Sequence, residues 1–208
     1  MTFTPEMALA IREGRKNQTR RPIKQLRRFG KISEFGPSDT KGYDWHFRDP
    51  EMRWHDLTQE KLLKYSPWQV GDRLWVKEEW AYWGGDEYIY QADIEAVMYR
   101  SSWDSDLRRP IWCIDGEPVG DRKGWRPSIH MPKWAARTWL EITEVRVQRV
   151  QEISEGDIIA EGCPSEYLLG INWFRPFWNS LYGPDAWDRN DWAWALTFKV
   201  LEEKERAA

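Results

Sequence analysis

Gly14-Arg15-Lys16-Asn17-Gln18-Thr19-Arg20-Arg21-Pro22 is the stretch on which the reading of this chain turns. It follows Thr4-Pro5-Glu6-Met7-Ala8-Leu9-Ala10-Ile11, which reads as a helix with Thr4 as N-cap and Pro5 at its first position. Gly14 then ends that helix in the left-handed conformation. Beyond the stop, Gln18 to Arg21 read as extended, because Pro22 steers Arg21 away from the helical region. Side chains alternate along a strand, so Thr19 and Arg21 share one side while Gln18 and Arg20 share the other. Lys16 lies in the turn, and a turn that folds back brings its amine towards the Thr19 hydroxyl. Helix, tight turn and strand thus place a lysine, a hydroxyl and several arginines within reach of one another.

Composition sets the frame around this stretch. A chain of 208 residues is long enough to bury a core of its own, and is expected to form a single domain with insertions. The net charge is −3, so the chain as a whole is no polycation, and contact with nucleic acid has to come from a local basic region. One exists: nine basic residues from Arg12 to Lys31 face the single acid Glu13. Such a run reads either as a solvated or phosphate-contacting face or as the setting of a chemical site. Cys113 and Cys163 lie far apart with no CxxC spacing, and His46 and His55 have no ligand partners at metal-site intervals, so neither a disulfide framework nor a metal centre is expected. A basic-then-apolar leader is missing and no apolar run approaches the ~20 residues that span a bilayer, which leads to the expectation of a cytoplasmic protein without a membrane partner.

Further along, Gly and Pro interrupt the periodicity from Arg27 to Ser66, and an irregular insertion or lid is expected there. Pro67 to Asp72 reads as a turn into a strand from Arg73 to Trp80, with a second short strand from Glu87 to Ala92. A second irregular insertion is expected from Asp93 to Lys123, followed by a turn-rich element from Trp125 to Trp134 that contains His130. Thr138 to Val150 alternates as a long strand. Ile153 to Gly162 reads as a short helix capped by Ser154 and stopped by Gly162, and Trp173, Phe174, Phe177, Trp178 and Leu181 mark an amphipathic helix. Trp192, Trp194, Leu196, Phe198 and Val200 alternate with Ala193, Ala195, Thr197 and Lys199, the pattern of a closing strand with one heavily buried face. There are sixteen tryptophans; most read as core, and others are free to stack on a base.

Ile11 to Arg21 resembles the "helix, G-[RK]-K-x-x-T-x-R" opening of the ASCH family of PUA-like domains. The Gly71-Asp72 turn and strand resemble that family's "x-x-G-D-x-L-x-V" segment, and Trp125 to Trp134 resembles the "W-x-P-S-I-H-M-P-x-W" signature of its larger, phage- or metagenome-type members. The resemblance implies an α+β, PUA-like fold: a small, mostly antiparallel β-barrel with flanking short helices. Members include small bacterial amidohydrolases that act on N4-acetylcytidine, in which a glutamate on the helix after the long strand is needed for activity; Glu161 is the matching position. The resemblance leaves out the insertions at 27–66 and 93–123.

Removing an acyl group from an exocyclic base nitrogen takes a nucleophile, a base, donors for the oxyanion and an acid for the departing amine. Thr19 supplies the hydroxyl. Lys16 can deprotonate it only if burial and its cationic neighbours Arg15, Arg20 and Arg21 bring its pKa down towards neutrality. Glu161 close to Lys16 would oppose that shift, so Glu161 is expected nearer the leaving nitrogen, as proton donor or as acceptor for the cytosine amine; its other reading is a solvated glutamate at a helix end. Arg20, Arg21, His130 and Trp75 are the expected substrate-binding residues, although His130 also reads as a buried histidine bonded to backbone. The expected function is a metal- and cofactor-independent amidohydrolase on N4-acylated cytosine nucleosides, with a modified nucleoside or nucleobase as partner. RNA or modified-base binding without turnover is the alternative.

Overall fold

The computed structural model describes residues 1–84, 87–90, 113–114, 117–118 and 127–202. Most of the insertion expected at 93–123, the end of the strand expected at Glu87–Ala92, and Trp125 and Arg126 lie outside these residues. The chain divides into two compact units of discontinuous segments: Met1–Gly14 with Leu74–Leu140 and Val200–Ala208, and Arg15–Arg73 with Glu141–Lys199.

In the first unit, helix α1 (Pro5–Arg12) starts where its caps require. Thr4 accepts a hydrogen bond from the Met7 amide, Pro5 occupies the first turn, and Gly14 takes a φ of 74° beyond the end. In the second unit the chain continues as β1 (Gln18–Pro22), then the small hairpin β2 (Gln25–Leu26) and β3 (Gly30–Lys31).

The segment expected to be irregular is ordered. It forms a three-stranded antiparallel meander, β4 (Ser33–Pro37), β5 (Trp45–Arg48) and β6 (Trp54–Leu57), followed by α2 (Gln59–Lys64). Gly30 opens β3 and Gly42 sits in a turn, both at positive φ, while Pro37 ends β4 and Pro50 lies in the β5–β6 turn, so they punctuate short strands. Strands of four or five residues carry too little alternation to register against so many charges. The β5–β6 turn is tied by Asp49, which is buried and accepts from the Arg53 amide at 2.9 Å, the Arg53 guanidinium at 2.8 Å and His55 Nε2 at 2.8 Å. Burial alone would raise the Asp49 pKa, but these three donors outweigh it and hold the carboxyl far below the usual range. Phe47 stacks on His55 beneath them.

The strand expected from Arg73 to Trp80 is also divided. Strand β7 (Arg73–Trp75) stops early because the next backbone groups bond elsewhere: Val76 donates to Thr138 O, Lys77 donates to Met1 O, and Phe3 donates to Lys77 O. A second strand, β8 (Trp80–Gly84), then pairs with β9 (Glu87–Tyr90), and β10 (Cys113–Ile114) pairs with β11 (Glu117–Pro118). Ser128–His130 and Lys133–Ala135 are single 3-10 turns.

The long strand β12 (Trp139–Arg149) leads to α3 (Glu155–Ala160), α4 (Ile171–Tyr182) and the closing strand β13 (Trp192–Val200). The main sheet runs β1-β13-β12-β7 and is antiparallel and curled into half a barrel, so the fold class is α+β with few helices. Its closing strand is covered on both faces over Ala193–Leu196, since Ala193 and Ala195 are as buried as Trp194 and Leu196. At the far end Val200 is exposed, so the expected one-sided pattern holds only in part. Against this sheet, Val150, Ile153, Ile158, Phe174, Trp178, Ala186 and Ala193 form a continuous core.

The tryptophans are therefore not equivalent. Trp178→Ala empties a fully enclosed site and should cost about 3–5 kcal/mol, whereas Trp54→Ala, at a half-exposed position against Arg48, should cost less than about 1 kcal/mol. Urea unfolding midpoints of the two variants check this; equal shifts would contradict the core assignment.

Candidate active site

A turn and a helix end build the centre of the site, both within the second unit. The last carbonyls of any α-helix lack intrahelical donors. Here the Asn17 amide donates to Ala160 O at 2.9 Å, and the Lys16 ammonium nitrogen donates to Glu161 O at 2.7 Å. The turn after Gly14 thus caps α3, while Phe198 of β13 donates to Asn17 O and holds the turn from the other side. Lys16 also donates to Glu161 Oε2 at 2.7 Å, and both side chains are about 2 % exposed. Glu161 is not a solvated glutamate. Nor does it stand away from the lysine, as expected; the helix end that carries it is the surface on which the Lys16 turn docks.

Burial lowers the Lys16 pKa, Glu161 raises it through charge and hydrogen bond, and the Arg21 and Arg20 guanidinium groups lower it again. The net direction is downward. The carboxylate moderates the shift without cancelling it, because the amine is wholly removed from water and two further cations lie nearby.

Strand alternation does what the sequence implies for Gln18 and Arg20. Both turn towards α3, where Asp157 accepts from Gln18 Nε2 at 3.0 Å and from Arg20 Nη2 at 2.6 Å. Asp157 and Glu161 are four residues apart, so they lie on one face of the helix. Arg20 spans them, with Nη1 donating to Glu161 Oε1 at 3.2 Å and to Gln18 Oε1 at 2.6 Å, and Nη2 also reaching Gln148 at 3.0 Å. Arg146 adds a bond to Asp157 at 3.3 Å. Desolvation would raise the Asp157 pKa, but Gln18, Arg20 and Arg146 together bring it below the ordinary aspartate value. The members that sequence reading missed are Asp157, Gln18 and Gln148. The signal was present in the i, i+4 carboxylates of a helix that follows a strand, set against two polar side chains on one side of β1.

Arg20 is fully occupied at its terminal nitrogens and 2 % exposed, so it holds the two carboxylates rather than reaching outward. Arg21 lies on the opposite side of β1 and donates to Tyr182 Oη at 3.3 Å. Thr19 is buried in β1, paired in register with Leu196, and it is not among the acceptors described for the Lys16 amine. Trp75 and His130 belong to the first unit. Trp75 is half-buried beside Trp139, and His130 is exposed in its 3-10 turn, which corrects the reading of it as a buried histidine.

The helix carrying both carboxylates is held in turn by a glycine. The Gly170 amide donates to Glu155 Oε1 at 2.6 Å, and a Cβ at Gly170 would stand 2.6 Å from Ile158 Cγ2 and 2.7 Å from that same oxygen. Only a residue without a side chain lets the start of α4 approach α3 so closely.

Compared with protein-family models, curated proteins and solved structures, the chain matches none.

Removing one partner of a buried ion pair leaves the other charge uncompensated, so Glu161→Ala should destabilise the protein by about 3–5 kcal/mol, while Lys16→Met combined with Glu161→Leu should recover most of that loss. Because the folded-state pKa of Lys16 is lowered, the unfolded chain binds the extra proton, and stability attributable to Lys16 should rise with pH from that lowered value up to the ordinary lysine range. Denaturant titrations of wild type and Lys16→Met across that window test the sign; a difference that falls with increasing pH would contradict it.

Proposed function

We propose that the protein is a metal-independent amidohydrolase that removes the acyl group from N4-acylated cytosine nucleosides. The observation that carries this reading is the buried Lys16–Glu161 pair, in which an amine with a lowered pKa is held at 2.7 Å by a carboxylate and lies three residues before a threonine. The resemblance of Gly14 to Arg21 and of Glu161 to the ASCH amidohydrolases supplies the reaction class.

Lys16 in its neutral form accepts the Thr19 hydroxyl proton as the oxygen attacks the acyl carbon. This requires the amine to swing from Glu161 to Thr19 when substrate binds. Glu161 holds the amine in the resting state, takes up the ammonium afterwards, and supports return of the proton to the departing N4 nitrogen. Arg20 and Asp157 keep Glu161 in place during that exchange. Arg21, which shares the Thr19 side of β1 and donates to Tyr182, would turn its guanidinium to the developing oxyanion. Water then hydrolyses the acyl-threonine by the same proton path in reverse.

Incubation of the protein with N4-acetylcytidine in the presence of EDTA should release cytidine and acetate, and activity that depends on added zinc or manganese would overturn the mechanism. Thr19→Ala should reduce turnover at least about a hundredfold with little change in stability, since the small substitution removes the attacking oxygen. Lys16→Arg should be similarly inactive because a guanidinium keeps its proton. For wild type the saturated rate should rise with pH through the lowered Lys16 pKa, and a flat profile would assign the base elsewhere.

A further inference from the structure

The second unit also carries an open groove of about 670 Å³ on the side of β1 to which Arg21 turns. Arg21, Lys24 and Lys31 bring three cations to it, and among the described residues no carboxylate side chain lines it. An adjoining groove of about 340 Å³ shares Pro22, Lys24 and Ile32 but sets Glu34 and Asp191 against Lys24 and Arg149, so it is charge-balanced. In a protein of net charge −3 the acid-free groove stands out as an anion-attracting surface.

Its other walls are aromatic. Trp68 and Tyr182 are half-buried, so part of each ring faces the opening, and the Lys24 ammonium lies 5.8 Å from the centroid of the Tyr182 ring. Trp194, 1 % exposed, also lines the groove. Cations alone would suit any small anion, and aromatic rings alone any flat apolar group. Their combination at one groove fits a ligand that carries both a phosphate and a planar heterocycle.

We propose that this groove binds a nucleoside phosphate, with Lys24 and Lys31 on the phosphate and Trp68 or Tyr182 against the base. The same chemistry is offered by a free mononucleotide and by one residue of a single strand. This rests on the hydrolase reading to the extent that Arg21 belongs to both, but Lys16, Thr19 and Glu161 are not among the groove's lining residues, and binding is read without turnover, so its failure and the failure of hydrolysis are told apart.

Quenching of intrinsic tryptophan fluorescence by cytidine 5′-monophosphate, cytidine, inorganic phosphate and an oligocytidylate measures it on the full chain. Cytidine 5′-monophosphate should bind at least about tenfold more tightly than cytidine and than inorganic phosphate, with the gap closing as salt is raised. Lys24→Gln with Lys31→Gln should remove that gap, and Trp68→Ala should weaken cytidine 5′-monophosphate while leaving inorganic phosphate unchanged; far-ultraviolet circular dichroism confirms that these surface variants are folded. An oligocytidylate that binds no tighter than the mononucleotide identifies a free nucleotide as the ligand, and one that binds about tenfold tighter identifies a single strand. Equal binding of nucleotide and nucleoside, or nucleotide binding indifferent to Lys24 and Lys31, would overturn the proposal.

Discussion

The ion pair between Lys16 and Glu161 is the constraint from which the rest of the second unit can be understood. An ammonium and a carboxylate sealed from water are costly to bury, and they persist only where geometry and further hydrogen bonds compensate each of them. Compensation here comes from several elements at once. The turn after α1 supplies the amine, α3 supplies both a carboxylate and an unsatisfied carbonyl, β1 supplies Arg20 and Gln18, and β12 supplies Gln148. Loss of Lys16, Glu161 or Arg20 leaves a buried charge short of a partner, so the cluster behaves as a single polar core beside the apolar one built on Phe174 and Trp178.

That arrangement also explains why a lysine can keep a lowered pKa two to three ångströms from a carboxylate. Desolvation is the largest influence on the amine, and the Arg21 and Arg20 guanidinium groups repel its charged form, so that together they outweigh the attraction of Glu161. Arg20 therefore shapes the chemistry of Lys16 without approaching the Thr19 side of β1.

Much of this was legible in the sequence because it is local. The caps of α1 and α3, the glycine stop at Gly14, the long β12 and the division of β1 into two sides all follow from residue types over a few positions. What escaped was non-local. The partner of Lys16 is 145 residues away, and nothing in the spacing of Ser154 to Gly162 says that the helix end would be covered rather than solvated. The meander of β4, β5 and β6 escaped for another reason: its strands are so short that turn residues outnumber the alternation between them, and its order depends on Asp49 gathering three donors across the turn. The strand after Gly71 is shorter than its residues suggest because the backbone beyond Trp75 bonds to Thr138, Met1 and Phe3, a pairing that no pattern within 73–80 announces.

The close seating of α3 on α4 at Gly170 carries a consequence for how this chain tolerates change. Asp157 and Glu161 ride on a helix only six residues long, and its seating depends on a contact that admits no side chain. A methyl group at Gly170 would press on Ile158 and Glu155, and the nearest way to relieve it is to move the two carboxylates with their helix. A position that holds no charge thus governs the alignment of the buried carboxylates, and a map of destabilising substitutions would show a spot there for which surface chemistry offers no account.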